Sequence, residues 1–220
     1  MEKSPPDIIL HCSNVSAALE AYRTEFGFRI DSIYPADAPR IVRMSGYGLS
    51  VRLDCGPGAG AVTDELPENR PALVISKFGE RGFGTGRAGM QYRDLIPDRC
   101  GGRFIASHIR IPTGGPVPDY VHHHHVHFQL VYCVNGWVRV AYEDQGEPMV
   151  MQAGDCFLQP PHIRHRVLEC SDQMEVVEIA CPAEHETLVE HELTLPTGVF
   201  DPDRDFGGQR FVFHEEPKAR

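Results

Sequence analysis

The sequence predicts a mainly β protein in which a small α+β module precedes a larger all-β part. From Tyr92 onward, short apolar segments alternate with turn residues and show no helical pattern. Residues 7–53 instead carry the pattern of a strand, a helix and three strands, and residues 54–90 are rich in glycine and proline. With 220 residues, 41% of them hydrophobic, the chain can bury a substantial core.

The elements of the N-terminal module follow from residue periodicity. A strand is predicted over residues 7–11, and Ser13 or Asn14 can cap the helix that follows. Gly27 ends this helix, and alternating apolar residues then predict strands over 28–34, 40–44 and 49–53. The apolar residues that recur at helical spacing are Val15, Ala18, Leu19, Tyr22 and Phe26.

Seven strands are predicted in the C-terminal part, most of them followed by glycine, asparagine or aspartate turns. They cover residues 103–111, 121–133, 137–143, 148–152, 156–159, 165–169 and 174–180. Strands this short, without helices between them, are typical of an antiparallel sandwich or barrel.

Composition divides the chain into four parts. They are a module over residues 1–56, a linker over 57–90, a barrel over 91–182 and a C-terminal extension over 183–220. Within the extension, residues 183–190 can form a short helix and residues 209–213 an added edge strand.

Charge and hydropathy narrow the class of partner. The formal net charge of -10 disfavours nucleic acid and anionic membranes, because both would be repelled at long range. No run of about 18 apolar residues could span a bilayer, and no basic and apolar leader segment is found. We therefore expect a cytoplasmic protein that acts on a small-molecule substrate, with no nucleic acid or membrane as partner.

The seven cysteines form no Cys-x-x-Cys pair, and their odd number argues against a disulfide framework and against a thiolate zinc site. Most are expected to be reduced. Cys133 and Cys156 lie in apolar runs and are expected to be small core residues.

Histidines concentrate in two places. Residues 121–129 read Val-His-His-His-His-Val-His-Phe-Gln, and residues 160–165 read Pro-Pro-His-Ile-Arg-His. Neutral imidazole is the commonest ligand of borderline metals, so the two groups predict a metal site, although a functionless exposed run is the alternative. Residues i and i+2 of a strand point to the same side. Two registers are therefore open: His122 with His124, or His123 with His125, in which case His127 can join them.

The spacing of glycine, proline and histidine over residues 110–170 resembles the two motifs of the cupin superfamily. The first motif has His-x-His, a glutamate and a glycine, and the second has a glycine, a proline, a second glycine and a histidine. The resemblance implies a double-stranded β-barrel, or jelly roll, that holds a metal and one small ligand. The matching residues are Gly136, Gly154, Pro160 and His165, with Gln129 where the family has glutamate and His162 where it has glycine.

The resemblance also implies a ligand set, namely His122, His124 and His165 with Gln129 beside them. It favours His122 and His124 because four residues then precede Gln129, which is the commoner spacing in metal-binding members. A neutral amide is a poorer ligand than a carboxylate, so three imidazoles with open positions would hold a divalent transition metal. Iron is expected first, with nickel, zinc, manganese or copper as alternatives.

We expect a metal-dependent cupin enzyme, an oxygenase of the dioxygenase type that acts on a small organic substrate. The alternatives are an isomerase or lyase that uses the ion as a Lewis acid, and a cupin that binds a ligand or a metal without turnover. Glu178 can point inward as a general base, and Arg110 and Arg164 can clamp an anionic ligand.

The N-terminal module carries a resemblance of its own. Its element order and residues 18–28, Ala-Leu-Glu-Ala-Tyr-Arg-Thr-Glu-Phe-Gly-Phe, resemble one half module of the glyoxalase and extradiol dioxygenase group, the vicinal oxygen chelate fold. Members of that group build a metal site between two such modules, and this sequence shows one. We therefore expect the module to pack against the barrel or to pair with another subunit. Cupins commonly pair their sheets, so we expect a homodimer.

Overall fold

The computed structural model describes residues 8–55, 65–79 and 82–208. Its N-terminal elements are β1 (Ile8–His11), α1 (Val15–Thr24), β2 (Arg29–Tyr34), β3 (Ile41–Gly46) and β4 (Leu49–Asp54). Next come β5 (Gly84–Thr85), a 3-10 turn (Arg87–Gly89), β6 (Gln91–Asp94), the short helical turn α2 (Arg99–Gly102), β7 (Ile105–Ile111) and β8 (Gly115–Pro116). The remaining strands are β9 (His122–His124), β10 (Phe128–Asn135), β11 (Trp137–Tyr142), β12 (Met149–Gln152), β13 (Cys156–Gln159), β14 (His165–Cys170), β15 (Met174–Cys181) and β16 (Thr187–Val189).

The N-terminal elements appear in the predicted order. Asn14 caps α1, because its side-chain oxygen accepts a hydrogen bond from the Ala17 backbone N–H at 3.0 Å. Gly27 adopts a φ of +69°, a left-handed conformation that glycine tolerates best, just after the helix ends. The apolar face of α1 packs on β3 and β4 around Met44 and Leu53. The resemblance of this module to the glyoxalase group stays a prediction.

The strands given above, including those of the N-terminal module, form two sheets. The long sheet has the strand order β1-β4-β3-β2-β16-β9-β14-β11-β12, with β8 added on β14, and the short sheet has the order β13-β10-β15-β7-β6-β5. Apolar residues of β11 meet apolar residues of β7, β13 and β15 in the main core between the sheets. The predicted fold class, mainly β with a jelly roll after a small α+β module, is confirmed.

The strand predicted over residues 121–133 divides into β9 and β10. β9 belongs to the long sheet and β10 to the short sheet, so the chain crosses between sheets at residues 125–127. Backbone hydrogen bonds fix this crossing: the His125 N–H donates to the Glu186 carbonyl at 2.9 Å, and the His127 N–H to the Cys181 carbonyl at 2.7 Å. The histidine run therefore lies where the chain passes from one wall of the barrel to the other.

The helix predicted over residues 183–190 is wrong, because β16 occupies part of this segment. β16 pairs with β2 on one side and with β9 on the other, so tertiary partners outweigh the local helix propensity. Two carboxylates beside β16 bind side chains of the N-terminal module. Glu186 accepts hydrogen bonds from Ser32 at 2.6 Å and from Arg43 at 3.1 Å. Glu184 accepts hydrogen bonds from Arg40. The long sheet is thus continuous from the module to the barrel. The domain bounds predicted above stay predictions.

The cysteines depart from expectation at two positions. Cys12 and Cys55 form a disulfide, and their Cα atoms lie 4.8 Å apart. The bond links the C-terminal ends of β1 and β4, which pair in parallel. Cys133 is fully buried as expected, whereas Cys156 is exposed. In β13 the alternate residues Phe157 and Gln159 point inward, so Cys156 faces outward.

Three further expectations concern the surface and the tail. The edge strand predicted over residues 209–213 lies outside the described residues. None of the described helices has the length and apolar character needed to cross a bilayer. β10 and β13 expose Phe128, Tyr132, Val134 and Leu158, and the expected homodimer stays a prediction.

Candidate metal centre

Three histidine rings meet at one end of the barrel interior. His122 and His124 come from the same side of β9, and His165 comes from β14, where it pairs with His122 across the sheet. All three are buried, and one ligand nitrogen from each lies within 4.8 Å of the others. Between the two registers left open by the sequence, the structure brings together His122 and His124. Their role as ligands stays a prediction.

Hydrogen bonds orient each of these rings through Nδ1. The His122 Nδ1 donates to the Tyr120 carbonyl at 2.8 Å, and the His165 Nδ1 donates to the Ile163 carbonyl at 3.0 Å. A carbonyl can only accept, so both rings carry their proton on Nδ1 and keep an electron pair on Nε2. The His124 Nδ1 lies 2.9 Å from the Thr187 hydroxyl, which allows the same tautomer. This is the arrangement that metal-binding histidines have, so the three residues fit a metal ion.

A buried carboxylate supports the first ring. Asp119 lies 3.8 Å from the His122 Nδ1, and its other oxygen accepts from the Val167 backbone N–H at 3.0 Å. A carboxylate behind a histidine raises the basicity of the ring and stabilises its orientation. Sequence reasoning did not select Asp119, although an acidic residue three positions before a histidine run was a usable signal.

The histidines open into a cavity of about 90 Å³ between the two sheets. Its wall is mostly apolar and includes Ile109, Val138, Met151 and Phe157. Its polar residues include His124, His165 and Gln129, and Gln129 is hydrogen-bonded to Gln159 and to Glu178. A small ligand would therefore meet a few polar side chains in an otherwise apolar wall.

Gln129, which stands where the resemblance places glutamate, is held in a chain of hydrogen bonds. The Tyr142 hydroxyl donates to Gln159 at 2.5 Å, the Gln159 amide donates to the Gln129 oxygen at 3.0 Å, and the Gln129 amide donates to Glu178 at 2.7 Å. Burial raises the pKa of Tyr142, so its hydroxyl keeps its proton and the direction of the chain is set. The structure thus brings Gln129 to the cavity, and its role as a ligand stays a prediction.

The sequence of the barrel matches a known family over the same strands. Residues 107–180 match the sequence model of the cupin domain family. The matched residues lie in the jelly roll, which is the cupin fold. No curated protein matches the chain.

Solved structures also resemble the chain. KdgF from Halomonas sp. is 20% identical, with 50% of this chain and 94% of that chain covered and a TM-score of 0.42. An RmlC-like cupin from Shewanella frigidimarina is 24% identical, with 52% and 95% covered and a TM-score of 0.43. FeII HppE is 14% identical, with 53% and 65% covered and a TM-score of 0.42.

Glu178 lies on β15 and lines the barrel cavity, as its predicted inward orientation requires. It also lines a second, smaller cavity between the barrel and the N-terminal module, together with Asp37 and His185. Its role as a general base stays a prediction, but its position between the two cavities and beside Gln129 is compatible with it.

His185 was missed by sequence reasoning because it lies in the segment predicted as a helix. It is buried, its Nδ1 donates to the Pro182 carbonyl at 3.1 Å, and its ring centroid lies 5.5 Å from that of His124. Burial lowers its pKa, so the ring is neutral at pH 7. His185 therefore adds a neutral imidazole beside the three-histidine group.

The two arginines expected to clamp an anion are not among the residues that line either cavity. Arg110 donates to Gln91 at 2.7 Å and stacks over the Phe83 ring at 3.8 Å. Arg164 donates to Glu190 at 2.9 Å and to Glu143 at 3.4 Å. Both guanidinium groups thus have partners of their own, and their role as a clamp stays a prediction.

The alternative ligands of the run lie elsewhere. His123 and His125 point to the opposite side of the β9 chain from His124, toward His162, and His127 is exposed. Burial, followed by the positive charge of Arg164, lowers the pKa of His123 to about 4. The structure therefore does not bring these three rings together with His165.

Proposed function

We propose that the cupin domain is a metal-dependent oxygenase of the dioxygenase type that acts on a small, largely apolar organic substrate. The observation that carries the proposal is the set of three buried imidazoles, each oriented by a hydrogen bond at Nδ1, beside a largely apolar cavity. Three neutral ligands leave the charge of a divalent ion uncompensated and leave coordination positions open.

His122, His124 and His165 would hold the ion. Imidazole suits iron, nickel, zinc and copper, and we propose iron because oxygen chemistry requires a redox-active metal. A bound iron ion would supply the electrons and the Lewis acidity that dioxygen activation needs. Thr187 and the Tyr120 and Ile163 carbonyls orient the three rings, so the site is organised before any ion binds.

The cavity wall indicates the class of substrate. No lysine or arginine belongs to the described residues that line it, so an anionic group would lack a protein cation to pair with. The apolar wall excludes water from most of the cavity and favours a hydrophobic body. We therefore propose a neutral substrate with one ionisable hydroxyl, enol or thiol group, which would lie beside the histidines.

Glu178 would take a proton from that group. One of its oxygens accepts a hydrogen bond from the Gln129 amide at 2.7 Å, which holds the carboxyl group at the cavity wall. Gln129 in turn is oriented by Gln159 and Tyr142, so the amide cannot rotate without breaking two hydrogen bonds. The same carboxylate favours a second candidate, an isomerase or lyase, because both reactions need a base beside a Lewis acid.

The test uses the full chain purified without a histidine tag. Its metal content is measured by elemental analysis, and the iron-loaded protein is then assayed with an oxygen electrode against neutral phenols, diols, enols and thiols. Oxygen uptake that requires iron and disappears in His165→Ala supports the oxygenase. His127→Ala, which removes an exposed histidine close to the same run, is the matched control and is expected to keep full uptake.

Other outcomes redirect or overturn the proposal. Conversion of a compound without oxygen uptake, also under nitrogen, would support the isomerase or lyase. Compounds that bind without conversion would make the protein a ligand-binding cupin. A wild-type protein that takes up no stoichiometric metal, with the same result for His165→Ala, would contradict the metal site itself.

A further inference from the structure

The smaller of the two cavities lies between the barrel and the N-terminal module, and we name it the side cavity. Its volume is about 40 Å³, against about 90 Å³ for the barrel cavity. The loop between β2 and β3 supplies Ala36 and Asp37 to its wall, and both residues are partly exposed. The side cavity thus has one wall that belongs to the protein surface.

The side cavity also adjoins the metal centre, formed by His122, His124 and His165, which we call the inner histidines. It shares three side chains with the barrel cavity, those of Tyr92, His124 and Glu178. A small ion in the side cavity would therefore already lie beside one of the inner rings. A partition made of side chains can open by changes of rotamer, which are fast compared with motions of the backbone.

The polar atoms of the side cavity can bind a cation. Asp37 uses one oxygen to accept a hydrogen bond from Arg99, and Glu178 uses one oxygen to accept from Gln129. His185 is 5% exposed and donates through Nδ1 to a backbone carbonyl. Its Nε2 therefore carries an electron pair, for which the described residues supply no donor. Carboxylate oxygens and neutral imidazole nitrogens are ligands of divalent transition metals.

These atoms are spread along a wall and do not form a second metal centre. Among the described residues, only the inner histidines bring one ligand atom each within reach of a shared ion. An ion in the side cavity would therefore meet too few ligands at once to be trapped there. A path for ions needs this property, because each contact must be favourable enough for entry and weak enough for exit.

The charges at the side cavity attract a cation. Two negative groups, Glu178 and Asp37, act on the ring of His185. One positive group, Arg99, acts on the same ring, and Arg99 is bonded to Asp37 and to a further carboxylate, Asp94. Three carboxylates thus stand against one guanidinium, so the local field draws a cation toward the cavity.

We propose that the side cavity is the route by which a divalent cation reaches the inner histidines, with Asp37 at its outer end and Glu178 at its inner end. A route through the barrel cavity would take the ion past a mostly apolar wall, where it would lose its water without replacement. The proposal rests on the metal site of the proposed function, and it gives the N-terminal module a role in loading that site.

The test measures rates of metal exchange on the full, tag-free chain loaded with Zn²⁺. Release is followed by transfer of Zn²⁺ to an excess of a chelating dye, and affinity is measured by competition with the same dye. The association rate follows from these two values. Ala36→Leu adds three carbon atoms to the wall of the side cavity and is expected to slow release and association alike, by about 10-fold or more. Its affinity is expected to stay within about 3-fold of the wild type, because a higher barrier on the path changes both rates and not their ratio.

A charge variant tests the outer end of the route. Asp37→Asn is expected to slow association by about 3- to 10-fold at low salt, and by less at high salt because dissolved ions screen the attraction. Ala38→Leu, in the same loop, and Asp98→Asn are the matched controls. Both residues are exposed and neither lines a cavity, so both variants are expected to keep the wild-type rates.

The outcomes separate the route from the metal site. Wild-type rates in both Ala36→Leu and Asp37→Asn, with affinity retained, would overturn the route and leave the metal site intact. Equal slowing in the two controls would overturn it as well. If Ala36→Leu loses the metal, the salt-dependent rates of Asp37→Asn decide alone. A wild type that binds no Zn²⁺ would contradict the metal site and the route together.

Discussion

The two faces of β9 place the same residue type in opposite surroundings. On the inner face, His122 and His124 are 0% and 7% exposed, and their Nδ1 atoms bond to a carbonyl and a hydroxyl. On the outer face, His123 and His125 are partly exposed and face another histidine, His162. Both faces carry histidines, so their number does not distinguish the faces. The inner face differs because hydrogen bonds orient its rings and the barrel encloses them.

The largest expected effect separates the two faces directly. His124→Ala removes a ligand and is expected to lower the metal affinity of the three inner histidines by more than about 100-fold. This exceeds the effect usually seen when a residue that only orients a ligand is changed. His125→Ala on the other face is expected to leave that affinity unchanged. Competition with a chelating dye measures both values, and equal losses in the two variants would show that the faces do not differ.

The next effect concerns the residue that orients His124. Thr187→Val removes the hydroxyl bonded to the His124 Nδ1 at nearly constant volume, so the metal affinity of the inner histidines is expected to fall about 10- to 100-fold. Thr187→Ser keeps the hydroxyl and is expected to stay within a few-fold of the wild type. The same dye competition tests this, and unchanged affinity in the valine variant would mean that the hydroxyl does not set the ring.

A smaller effect is expected where the inner face carries an amide in place of a carboxylate. Gln129→Glu places a carboxylate against Glu178, 2.7 Å from the present donor, and removes that hydrogen bond. The metal-free variant is expected to lose about 1–3 kcal/mol of unfolding free energy. Bound metal is expected to recover part of this loss, because the new carboxylate can act as a ligand. Urea unfolding with chelator and with Zn²⁺ measures both states.

Gln129→Leu is the control for the preceding variant, since it loses the hydrogen bond without adding charge. Its unfolding free energy is expected to be lower than that of the wild type both with chelator and with Zn²⁺, and bound metal is not expected to reduce this difference. A Gln129→Glu protein as stable as the wild type without metal would contradict the hydrogen-bond chain that ends at Glu178.

The smallest effect belongs to an ion pair beside the outer histidines. A hydrogen bond from the Glu192 backbone N–H, and then one from Arg164, lower the pKa of Glu190 below its ordinary value of 4.5. Because the folded state holds this proton more weakly than the unfolded state, the stabilisation is complete above pH 4.5 and is lost as the pH falls toward the lowered pKa.

Glu190→Gln is therefore expected to be less stable than the wild type by less than about 1 kcal/mol at neutral pH, and equally stable in acid. Thermal unfolding of both proteins in chelator, at neutral pH and near pH 3, measures the difference. A stability gap that widens in acid would contradict the assigned direction.

Local pattern accounted for much of the fold. The predicted bounds of strands β11 to β15 lie within one residue or so of the observed ones, because each is a short, largely apolar segment between turn residues. The pairing of His122 with His124 also followed from the period of two in a strand, aided by motif spacing. Asp119, Thr187 and His185 could not be selected in this way, since each reaches the site only through contacts between distant segments.

Strand periodicity is a local property, so the sequence alone predicts that histidines are available for a metal and which of them share a face of the strand. It does not predict which face points into the barrel. That choice depends on the crossing of the chain between sheets at residues 125–127 and on the insertion of β16 between β2 and β9. Both are long-range backbone pairings, and a segment that favours a helix locally becomes a strand when two strands with unpaired edges flank it.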